Sequence, residues 1–497
     1  MSDQVRVRMA PSPTGFLHIG GLRTALYNYL FARKSGGRFI LRIEDTDRNR
    51  LVPGALENIV ETLHDFGLDP DEGPCWVGGK VAERGDKGPY LQSDRLGLYK
   101  KYAEELIAKG TAYYCFCPAE RLEELRKSQE AQKLPPKYDK HCLSLSKEEV
   151  EAKLKAGEPH VIRLNVPKDL TVRFSDVVHG EIAISTNDID DQVLLKTDGF
   201  PTYHLAVVVD DHLMEVSHVI RGEEWIPSTP KHVLLYSAFG WETPMFVHLP
   251  LLLSKSRKKL SKRDGDVAVR DFLKNGYLPE ALINFVALLG WNPKTEEEIF
   301  SLKELIERFD LGKLNKAGAV FDLDKLDWIN GLYIRKLSKD DLFERLKPYL
   351  ADSGIEIEKY PKEFLEKVLL LEQGRLTKLS EIGERVGYFF GEPAYDPSIL
   401  IWKKSDAAAI KKNLEALETF LAGLDPKDFS REKLEELTKK FISDSSLTNG
   451  EVLWPLRVAL SGLEASPGPF EIVDAFSALP DGKDRILGRI GTAIKKL

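Results

Sequence analysis

Residues 11–21 of the chain read Pro11-Ser12-Pro13-Thr14-Gly15-Phe16-Leu17-His18-Ile19-Gly20-Gly21. The alternating run at residues 5–9 that precedes them predicts a strand, and the apolar spacing from His18 to Ser35 predicts a helix. Residues 39–43 then predict a second strand. Strand, glycine-bearing turn, helix and strand in this order are typical of a nucleotide-binding α/β domain.

The turn itself is suited to a phosphate group. Gly20 and Gly21 would let a nucleotide approach the backbone closely, and the N-terminus of a helix favours an anion. The imidazole of His18 could hydrogen-bond phosphate oxygens as charge develops on them. A turn that only caps a helix, with His18 merely polar, is an equally good interpretation of these eleven residues.

A second motif is the run from Ser254 to Arg263, in which six of ten residues are basic. Alone, it predicts a solvated basic loop or a general RNA-binding surface. It follows the apolar strand predicted at Leu249–Leu253 and precedes Asp264-Gly265. This position favours a lysine-bearing loop that holds a triphosphate.

The composition limits the class of protein. A chain of 497 residues with 42% hydrophobic and 30% charged residues predicts three or four globular domains. The 71 basic and 78 acidic side chains give a net charge of −7, which neither predicts nor excludes a nucleic-acid partner. The sequence shows no apolar run of the ~18 residues that a membrane span needs and no signal peptide. Its four cysteines indicate a reducing cytosol rather than a disulfide framework.

The remaining periodicities divide the chain into two halves. Strand-like patterns recur at Tyr203–Val209 and Glu215–Ile220, and a helix is predicted at Thr229–Phe239. Residues 110–190 carry three of the cysteines and several short strand candidates, which indicates an insertion. After about residue 270, periodic helices predominate, as at the segments Pro279–Leu289, Ser338–Leu350 and Pro361–Leu371.

Together, the two motifs resemble the paired signatures of class I aminoacyl-tRNA synthetases, about 240 residues apart. The run from Pro11 to Leu30 is similar, more specifically, to bacterial-type glutamyl-tRNA synthetases. Further blocks carry the same resemblance in the same order; they are Arg42-Ile43-Glu44-Asp45-Thr46-Asp47, Tyr203-His204-Leu205-Ala206, Asp210-Asp211-His212 and Arg221-Gly222-Glu223-Glu224-Trp225. The resemblance covers nearly the whole chain.

The resemblance implies a two-step reaction. ATP and L-glutamate would form glutamyl-adenylate and pyrophosphate, and the terminal ribose hydroxyl of tRNA-Glu would then attack the acyl carbon. His18, Lys259 and Lys262 would be catalytic, and Mg²⁺ would accompany ATP. The ATP-binding residues implied by the resemblance are Gly20, Gly21, Glu224, Leu252 and Lys262. The family also implies a monomer in the cytoplasm.

Glutamate presents two carboxylates and an ammonium, so its pocket should contain cations and an anion. The resemblance assigns Arg8 and Arg221 to carboxylates and Glu44 to the ammonium. The other glutamate-binding residues that it implies are Ala10, Ser12 and Tyr203. Without the resemblance, an exposed strand arginine at position 8 and a helix-capping carboxylate at position 44 would be favoured. Val207 stands where the family often has asparagine, so a side-chain hydrogen bond at that position is lost.

The predicted insertion contains a candidate metal site, formed by Cys115, Cys117, Tyr138 and Cys142. A Cys-x-Cys pair with a distant third thiolate suits tetrahedral zinc, and similar spacing occurs in some bacterial members of the family. The histidine that often follows the last cysteine by two residues is Ser144 here, which leaves Tyr138 or His141 as the fourth ligand. Three buried free thiols are the alternative interpretation.

Arg375, within Gly374-Arg375-Leu376, corresponds to a family position that can bind an anticodon base. An exposed arginine at a helix end is nearly as good an interpretation. The run Trp454–Gly462 also resembles the family's C-terminal domain. The related glutaminyl-tRNA synthetases would end in β-barrels, which the helical periodicity of this half does not favour.

We therefore expect an α/β protein: a Rossmann-type catalytic domain with an α+β acceptor-stem insertion, followed by an all-helical anticodon-binding half. The expected segments are 1–110 and 201–265 for the catalytic domain, 111–200 for the insertion, 266–340 for a helical stem-contact domain and 341–497 for the anticodon-binding domain. A small-molecule nucleotidyltransferase would not need the helical half, and an inactive tRNA-binding paralogue would not need both catalytic motifs.

Overall fold

The structure, a computed structural model, describes residues 4–260, 268–403 and 405–497. The chain forms two compact units. The first unit comprises Met1–Phe272 and Leu282–Asp322, and the second comprises Leu273–Ala281 and Leu323–Leu497.

The strands all belong to the first unit. They are β1 (Arg6–Met9), β2 (Arg38–Leu41), β3 (Gly73–Val77), β4 (Lys80–Arg84), β5 (Ala112–Cys115), β6 (Val161–Leu164), β7 (Thr171–Asp176), β8 (Gly180–Ser185), β9 (Val193–Leu195), β10 (His218–Gly222), β11 (Met245–Leu249), β12 (Leu252–Leu253) and β13 (Ala319–Val320). The helices up to Asp322 are α1 (Ile19–Lys34), α2 (Ala55–Asp65), α3 (Leu96–Ala108), α4 (Ala119–Ala131), α5 (Lys147–Lys155), α6 (Tyr203–Leu213), α7 (Thr229–Phe239), α8 (Val269–Lys274), α9 (Pro279–Ala287) and α10 (Leu302–Arg308).

A six-stranded sheet in the order β2-β1-β10-β11-β7-β8 organises the first unit. The neighbours from β2 to β7 are parallel, and β8 pairs antiparallel with β7. The predicted order of strand, turn, helix and strand is confirmed by β1, α1 and β2. Because parallel strands end at the same edge of the sheet, the turns that follow β1 and β10 lie side by side, where α/β proteins bind their ligands.

The predicted strand at Tyr203–Val209 is wrong, since these residues open helix α6. Three consecutive valines favour a strand on propensity alone. In the structure the residues from Leu205 to Val209 are all at most 1% exposed, because this turn of the helix is surrounded by the core. A helix that is buried on all sides has no polar face to reveal its period. Val207 therefore packs in the core.

The segment 111–200 contributes to two sheets. Strands β5, β6 and β9 form a separate antiparallel sheet. Strands β7 and β8 instead extend the main sheet, and β7 joins it beside β11 with Asp176 opposite Phe246. The segment thus forms a small sheet of its own and also extends the main sheet.

The second unit is helical. Its helices beyond Asp322 are α11 (Leu323–Lys336), α12 (Lys339–Asp352), α13 (Lys362–Gln373), α14 (Ile382–Phe390), α15 (Ala407–Ala422), α16 (Arg431–Asp444), α17 (Asn449–Ser461), α18 (Pro469–Phe476) and α19 (Gly482–Lys496). Across residues 323–403 and 405–497, every regular element is helical. Buried aromatic rings such as Phe364, Phe389 and Phe476 pack its core. An α/β half followed by a helical half confirms the predicted fold class.

Candidate active site

A cavity of about 1030 Å³ opens at the carboxyl ends of β1 and β10, beside the N-terminus of α1. It brings together every predicted catalytic and substrate-binding residue that the structure describes. They are Arg8, Ala10, Ser12, His18, Gly20, Gly21, Glu44, Tyr203, Arg221, Glu224, Leu252 and Lys259. Lys262 lies outside the described residues.

His18 is held at the N-terminus of α1 by its own ring. Its Nδ1 accepts a hydrogen bond of 3.0 Å from the backbone N–H of Gly21, so the neutral ring carries its proton on Nε2. A Cβ atom at Gly20 would lie 3.0 Å from Cε1 of His18, and one at Gly21 would lie 2.8 Å from Leu17. Gly20 therefore leaves room for the imidazole over the first turn of the helix, and Gly21 leaves room for Leu17.

Lys259 reaches the cavity from a short hairpin. The backbone N–H of Leu260 donates to the carbonyl of Leu252, and that of Ser254 donates to the carbonyl of Lys258, both at 2.8 Å. Arg257, at φ 58°, makes the left-handed turn between them. The hairpin places Leu252 and Lys259 in the wall of the cavity and leaves the lysine side chain exposed.

Arg8 and Glu44 belong to one buried network of charges. Arg8 donates from Nε and Nη2 to the two carboxylate oxygens of Asp211, at 3.0 and 3.2 Å. Arg42 donates from Nη1 to Asp211 at 2.7 Å and from Nη2 to Oε1 of Glu44 at 3.0 Å. Arg8 is 3% exposed and Glu44 is 7% exposed. Arg8 is therefore not an exposed strand residue, and Glu44 is not a carboxylate at the surface that caps a helix.

The network affects the pKa values of its two carboxylates in opposite directions. Burial alone would raise the pKa of Asp211, but the adjacent Arg8 and Arg42 outweigh burial and lower it. Burial raises the pKa of Glu44 above its ordinary value, in spite of Arg42 and Arg8. Asp211 is therefore a firmly ionised anion between two cations, whereas an additional cation beside Glu44 would favour its ionised form.

Arg221 is different, because its partners are neutral. Its Nη1 donates to the Tyr203 hydroxyl at 2.8 Å, Nη2 donates to Oγ1 of Thr229 at 2.9 Å, and Nε donates to Nε2 of His248 at 3.1 Å. In the part of the chain that the structure describes, no carboxylate pairs with its guanidinium, although Arg221 is only 5% exposed. A buried cation that lines a cavity without an anion is suited to bind an anionic ligand.

Several residues of this site had no role in the sequence analysis. Arg42 and Asp211 lie within the quoted blocks, but the sequence gives no sign that they pair. Thr229 and His248 showed no signal at all, since each occurs in an ordinary helix or strand pattern. Trp225, also within a quoted block, packs its ring against Tyr203 with centroids 4.3 Å apart.

The cysteine cluster forms a second candidate site in the first unit. The Sγ atoms of Cys115, Cys117 and Cys142 lie within 4.8 Å of one another, a group that could hold a metal ion. The Tyr138 hydroxyl lies 3.3 Å from Sγ of both Cys115 and Cys117 and accepts a hydrogen bond from the Cys142 N–H. His141 is exposed. Of the two residues considered as a fourth ligand, Tyr138 is therefore the one whose oxygen lies against the sulfur atoms.

Arg375 follows helix α13 in the second unit. Its Nη1 lies 3.7 Å from one carboxylate oxygen of Glu372, and Nη1 of Arg385 lies 3.6 Å from the other. Glu372 is 2% exposed, whereas the two arginine side chains are 35% and 33% exposed. A buried carboxylate therefore lies between two partly exposed guanidinium groups, at distances longer than a hydrogen bond.

Comparisons with known proteins agree with this geometry. Residues 4–328 match the family model of the catalytic domain of class I tRNA synthetases (E and Q), and residues 341–494 match that of an anticodon binding domain. The glutamate–tRNA ligase of Finegoldia magna is 47% identical, covering 99% of this chain and 100% of the relative. That of Clostridioides difficile is 47% identical over 98% of each.

Solved structures give the same result. The crystal structure of a glutamate tRNA ligase from Elizabethkingia meningosepticum in complex with its amino acid covers 99% of each chain, with a TM-score of 0.88 and 39% identity. The first unit and its cavity thus define a class I aminoacyl-tRNA synthetase. The chain belongs to the glutamate–tRNA ligase family, and its reaction is the ATP-dependent ligation of glutamate to tRNA. No helix among the described residues is both long and apolar enough to span a membrane.

Proposed function

We propose that the cavity binds glutamate and ATP side by side and joins them as glutamyl-adenylate. The observation that carries this proposal is the set of groups in one cavity: the buried Arg221, which has no carboxylate partner among the described residues, together with Arg8, Glu44 and a helix N-terminus. These groups match the two carboxylates and the ammonium of glutamate and the phosphates of ATP. The Elizabethkingia relative was solved with its amino acid, which supports an amino-acid site in this fold.

Arg221 and the Tyr203 hydroxyl would bind one carboxylate of glutamate, and Arg8 would bind the other. The ammonium would lie against Glu44, whose Oε1 already accepts from Arg42, and Ala10 and Ser12 would line the pocket. The phosphates of ATP would lie against Gly20 and Gly21 at the start of α1. The remaining ATP contacts are proposed for His18, Glu224, Leu252, Lys259 and Lys262.

The first step would then depend on the relative position of glutamate and ATP more than on covalent catalysis by the protein. An oxygen of the α-carboxylate attacks the α-phosphorus, the bond to the bridging oxygen breaks, and pyrophosphate leaves with the electron pair. His18, Lys259 and Lys262 would stabilise the charge that develops on the phosphate oxygens, and Mg²⁺ would arrive with ATP. In the second step, the terminal ribose hydroxyl of tRNA-Glu displaces AMP from the acyl carbon.

Charging assays with purified tRNA-Glu and tRNA-Gln, using labelled glutamate and separately labelled glutamine, test this function. We expect ATP-dependent glutamylation of tRNA-Glu. Glutamate on tRNA-Glu alone would define a discriminating enzyme, and glutamate on both tRNAs would define one whose product on tRNA-Gln needs amidation. Absence of charging on either tRNA would contradict the proposal.

We also propose which part of the tRNA each segment of the chain contacts. Residues 1–110 and 201–265 would form the catalytic domain, with 111–200 against the acceptor stem. Residues 266–340 would contact the stem and 341–497 the anticodon. The chain would act as a monomer in a reducing cytoplasm, in which its four cysteines would form no disulfide. Light scattering of the purified protein, alone and with tRNA, tests the monomer.

Arg375→Ala should weaken anticodon binding. A bidentate arginine–base contact contributes ~1–3 kcal/mol, so we expect the KM for tRNA-Glu to rise about tenfold while the KM for glutamate stays the same. Charging kinetics measure both constants. Arg485→Ala, which removes a charge from α19 where Arg485 pairs with the neighbouring Asp481, is the control. Equal effects of the two substitutions would mean that Arg375 contributes only positive charge and makes no specific contact with an anticodon base.

The cysteine cluster is proposed to hold a structural zinc ion, with Cys115, Cys117, Cys142 and Tyr138 as its ligands. Cys142→Ser should release most of the zinc from a protein that otherwise contains about one ion per chain. Metal analysis of the purified protein measures this. Cys75→Ser, which changes a buried thiol outside the cluster, should keep the zinc. A wild-type protein that is folded and free of zinc would favour three buried thiols instead.

A further inference from the structure

His248 is the residue that faces Arg221 on the neighbouring strand. Strands β10 and β11 are parallel, and their register places Arg221 directly opposite His248. The side chain of His248 is fully buried, and its Nε2 lies 3.1 Å from the Nε of Arg221. Because the guanidinium always carries a proton on Nε, the imidazole can satisfy this contact only by offering a lone pair.

Asp176, at the end of β7, decides which nitrogen of His248 carries the proton. Its Oδ2 lies 2.7 Å from Nδ1 of His248 and also accepts the backbone N–H of that residue. The other oxygen, Oδ1, accepts the N–H groups of Val178 and His179, both at 2.9 Å. Since every one of these contacts needs an acceptor, the carboxylate accepts a hydrogen bond from Nδ1–H of His248, and the lone pair of Nε2 faces Arg221.

The charge states agree with this arrangement. Burial lowers the pKa of His248, so the ring is neutral. Burial would raise the pKa of Asp176, but the hydrogen bonds from His248 and from the backbone outweigh burial and lower it. A protonated Nε2 would place an N–H group against the N–H group of Arg221, and the pair would repel.

The remaining donors of Arg221 show what the contact achieves. Nη2 donates to Oγ1 of Thr229, which itself lies 3.2 Å from Nε2 of His248, and approaches Nδ1 of His232 at 3.4 Å. With Nε held by His248, the guanidinium cannot rotate about its bond to the side chain without losing a buried hydrogen bond. Its Nη1 is thereby left beside the Tyr203 hydroxyl in the wall of the cavity.

We propose that Asp176 and His248 are positioning residues for the ligase reaction: by fixing one tautomer of His248, they hold the Arg221 guanidinium in the orientation that receives a carboxylate of glutamate. The inference rests on the proposed role of Arg221. It predicts that the affinity for glutamate depends on the atom that position 248 offers at the place of Nε2, rather than on the bulk of the side chain.

Two substitutions separate the two nitrogens of the ring. Glutamine at position 248 reaches the place of Nε2 with a carbonyl oxygen, which can still accept from Arg221. Asparagine reaches only the place of Nδ1, so it can donate to Asp176 but offers nothing to Arg221. Both variants remove the ring, which packs beside Phe246, so both lose the same aromatic contact.

We expect His248→Asn to raise the KM for glutamate about tenfold or more, the loss of one charge-assisted hydrogen bond. His248→Gln should raise it clearly less, and neither variant should change the KM for ATP by a comparable factor. Charging kinetics with tRNA-Glu measure both constants, and thermal unfolding checks that the two variants are equally folded. His64→Asn, the same change at an exposed histidine outside the cavity, is the matched control.

Equal rises in the glutamate KM for the two variants would reduce His248 to a packing residue, and an unchanged KM in His248→Asn would overturn the inference outright. If His248→Asn does not fold, Asp176→Asn tests the same point. Both carboxylate oxygens of Asp176 accept N–H groups, so an amide nitrogen in place of either oxygen would face a hydrogen-bond donor. Its expected result is again a raised glutamate KM. An Arg221→Ala variant with an unchanged glutamate KM would instead contradict the role of Arg221 itself.

Discussion

Arg221→Ala is expected to raise the KM for glutamate on the order of 100-fold, with a much smaller change in the KM for ATP. The guanidinium is buried and pairs with no carboxylate among the described residues, so the substrate would supply its missing counter-charge. Removing one partner of a buried charged hydrogen-bonded pair costs about 2–5 kcal/mol, and each 1.4 kcal/mol corresponds to about tenfold in affinity. ATP–pyrophosphate exchange in the presence of tRNA, at varied glutamate concentrations, measures the constant.

Two further variants make this result specific. Arg221→Lys keeps the charge but loses the planar fork that reaches Tyr203, Thr229 and His248 together, so it should recover only part of the affinity. Arg173→Ala, on the exposed face of β7, should behave as the wild type. An unchanged glutamate KM in Arg221→Ala would place the substrate carboxylate elsewhere in the cavity.

Asp211→Asn should lower the free energy of unfolding of the first unit by about 3–5 kcal/mol. The carboxylate is 3% exposed and accepts hydrogen bonds from both Arg8 and Arg42. An amide would offer one acceptor and two donors to two cations, which leaves a buried positive charge without compensation. Urea unfolding followed by tryptophan fluorescence measures the loss, and Asp188→Asn, at an exposed position, is the control. A loss no larger than that of the control would contradict the coupling.

The same carboxylate gives a dependence on pH. The pKa of Asp211 is lower in the folded protein than its ordinary value, since the two arginines outweigh the effect of burial. A group with a lowered folded pKa stabilises the fold fully above its unfolded pKa of ~3.9 and loses that contribution as the pH falls through the folded value. Acid unfolding of Asp211→Asn should therefore lack part of the pH dependence that the wild type shows below about pH 4.

Much of the fold could be predicted because local patterns agree with it. The apolar stripe of α1 and the glycines after it predicted a helix at His18–Ser35, against Ile19–Lys34 in the structure. The helices predicted at Thr229–Phe239 and Ser338–Leu350 lie where α7 and α12 do. The failure at α6 has a physical reason, since its residues from Leu205 to Asp211 are all buried and leave no periodic polar face.

The cavity could be predicted as a set of residues, but its internal contacts could not. Asp176 and His248 lie 72 positions apart in the chain, and only the register of β11 between β7 and β10 brings them to Arg221. The pairing of Asp211 with Arg8 likewise spans 203 positions. Such contacts depend on strand order, which hydrophobic periodicity does not predict.

The β7–β8 hairpin makes the segment 111–200 inseparable from the catalytic sheet. A shortened chain that joins residue 110 to residue 201 would leave β11 as a bare outer strand, whose free N–H and C=O groups invite pairing with other chains. It would also deprive His248 of the carboxylate that fixes its proton. A shorter natural or engineered form of this enzyme would therefore have to keep residues 171–185, and could lose only the segments on either side that form the smaller sheet of β5, β6 and β9.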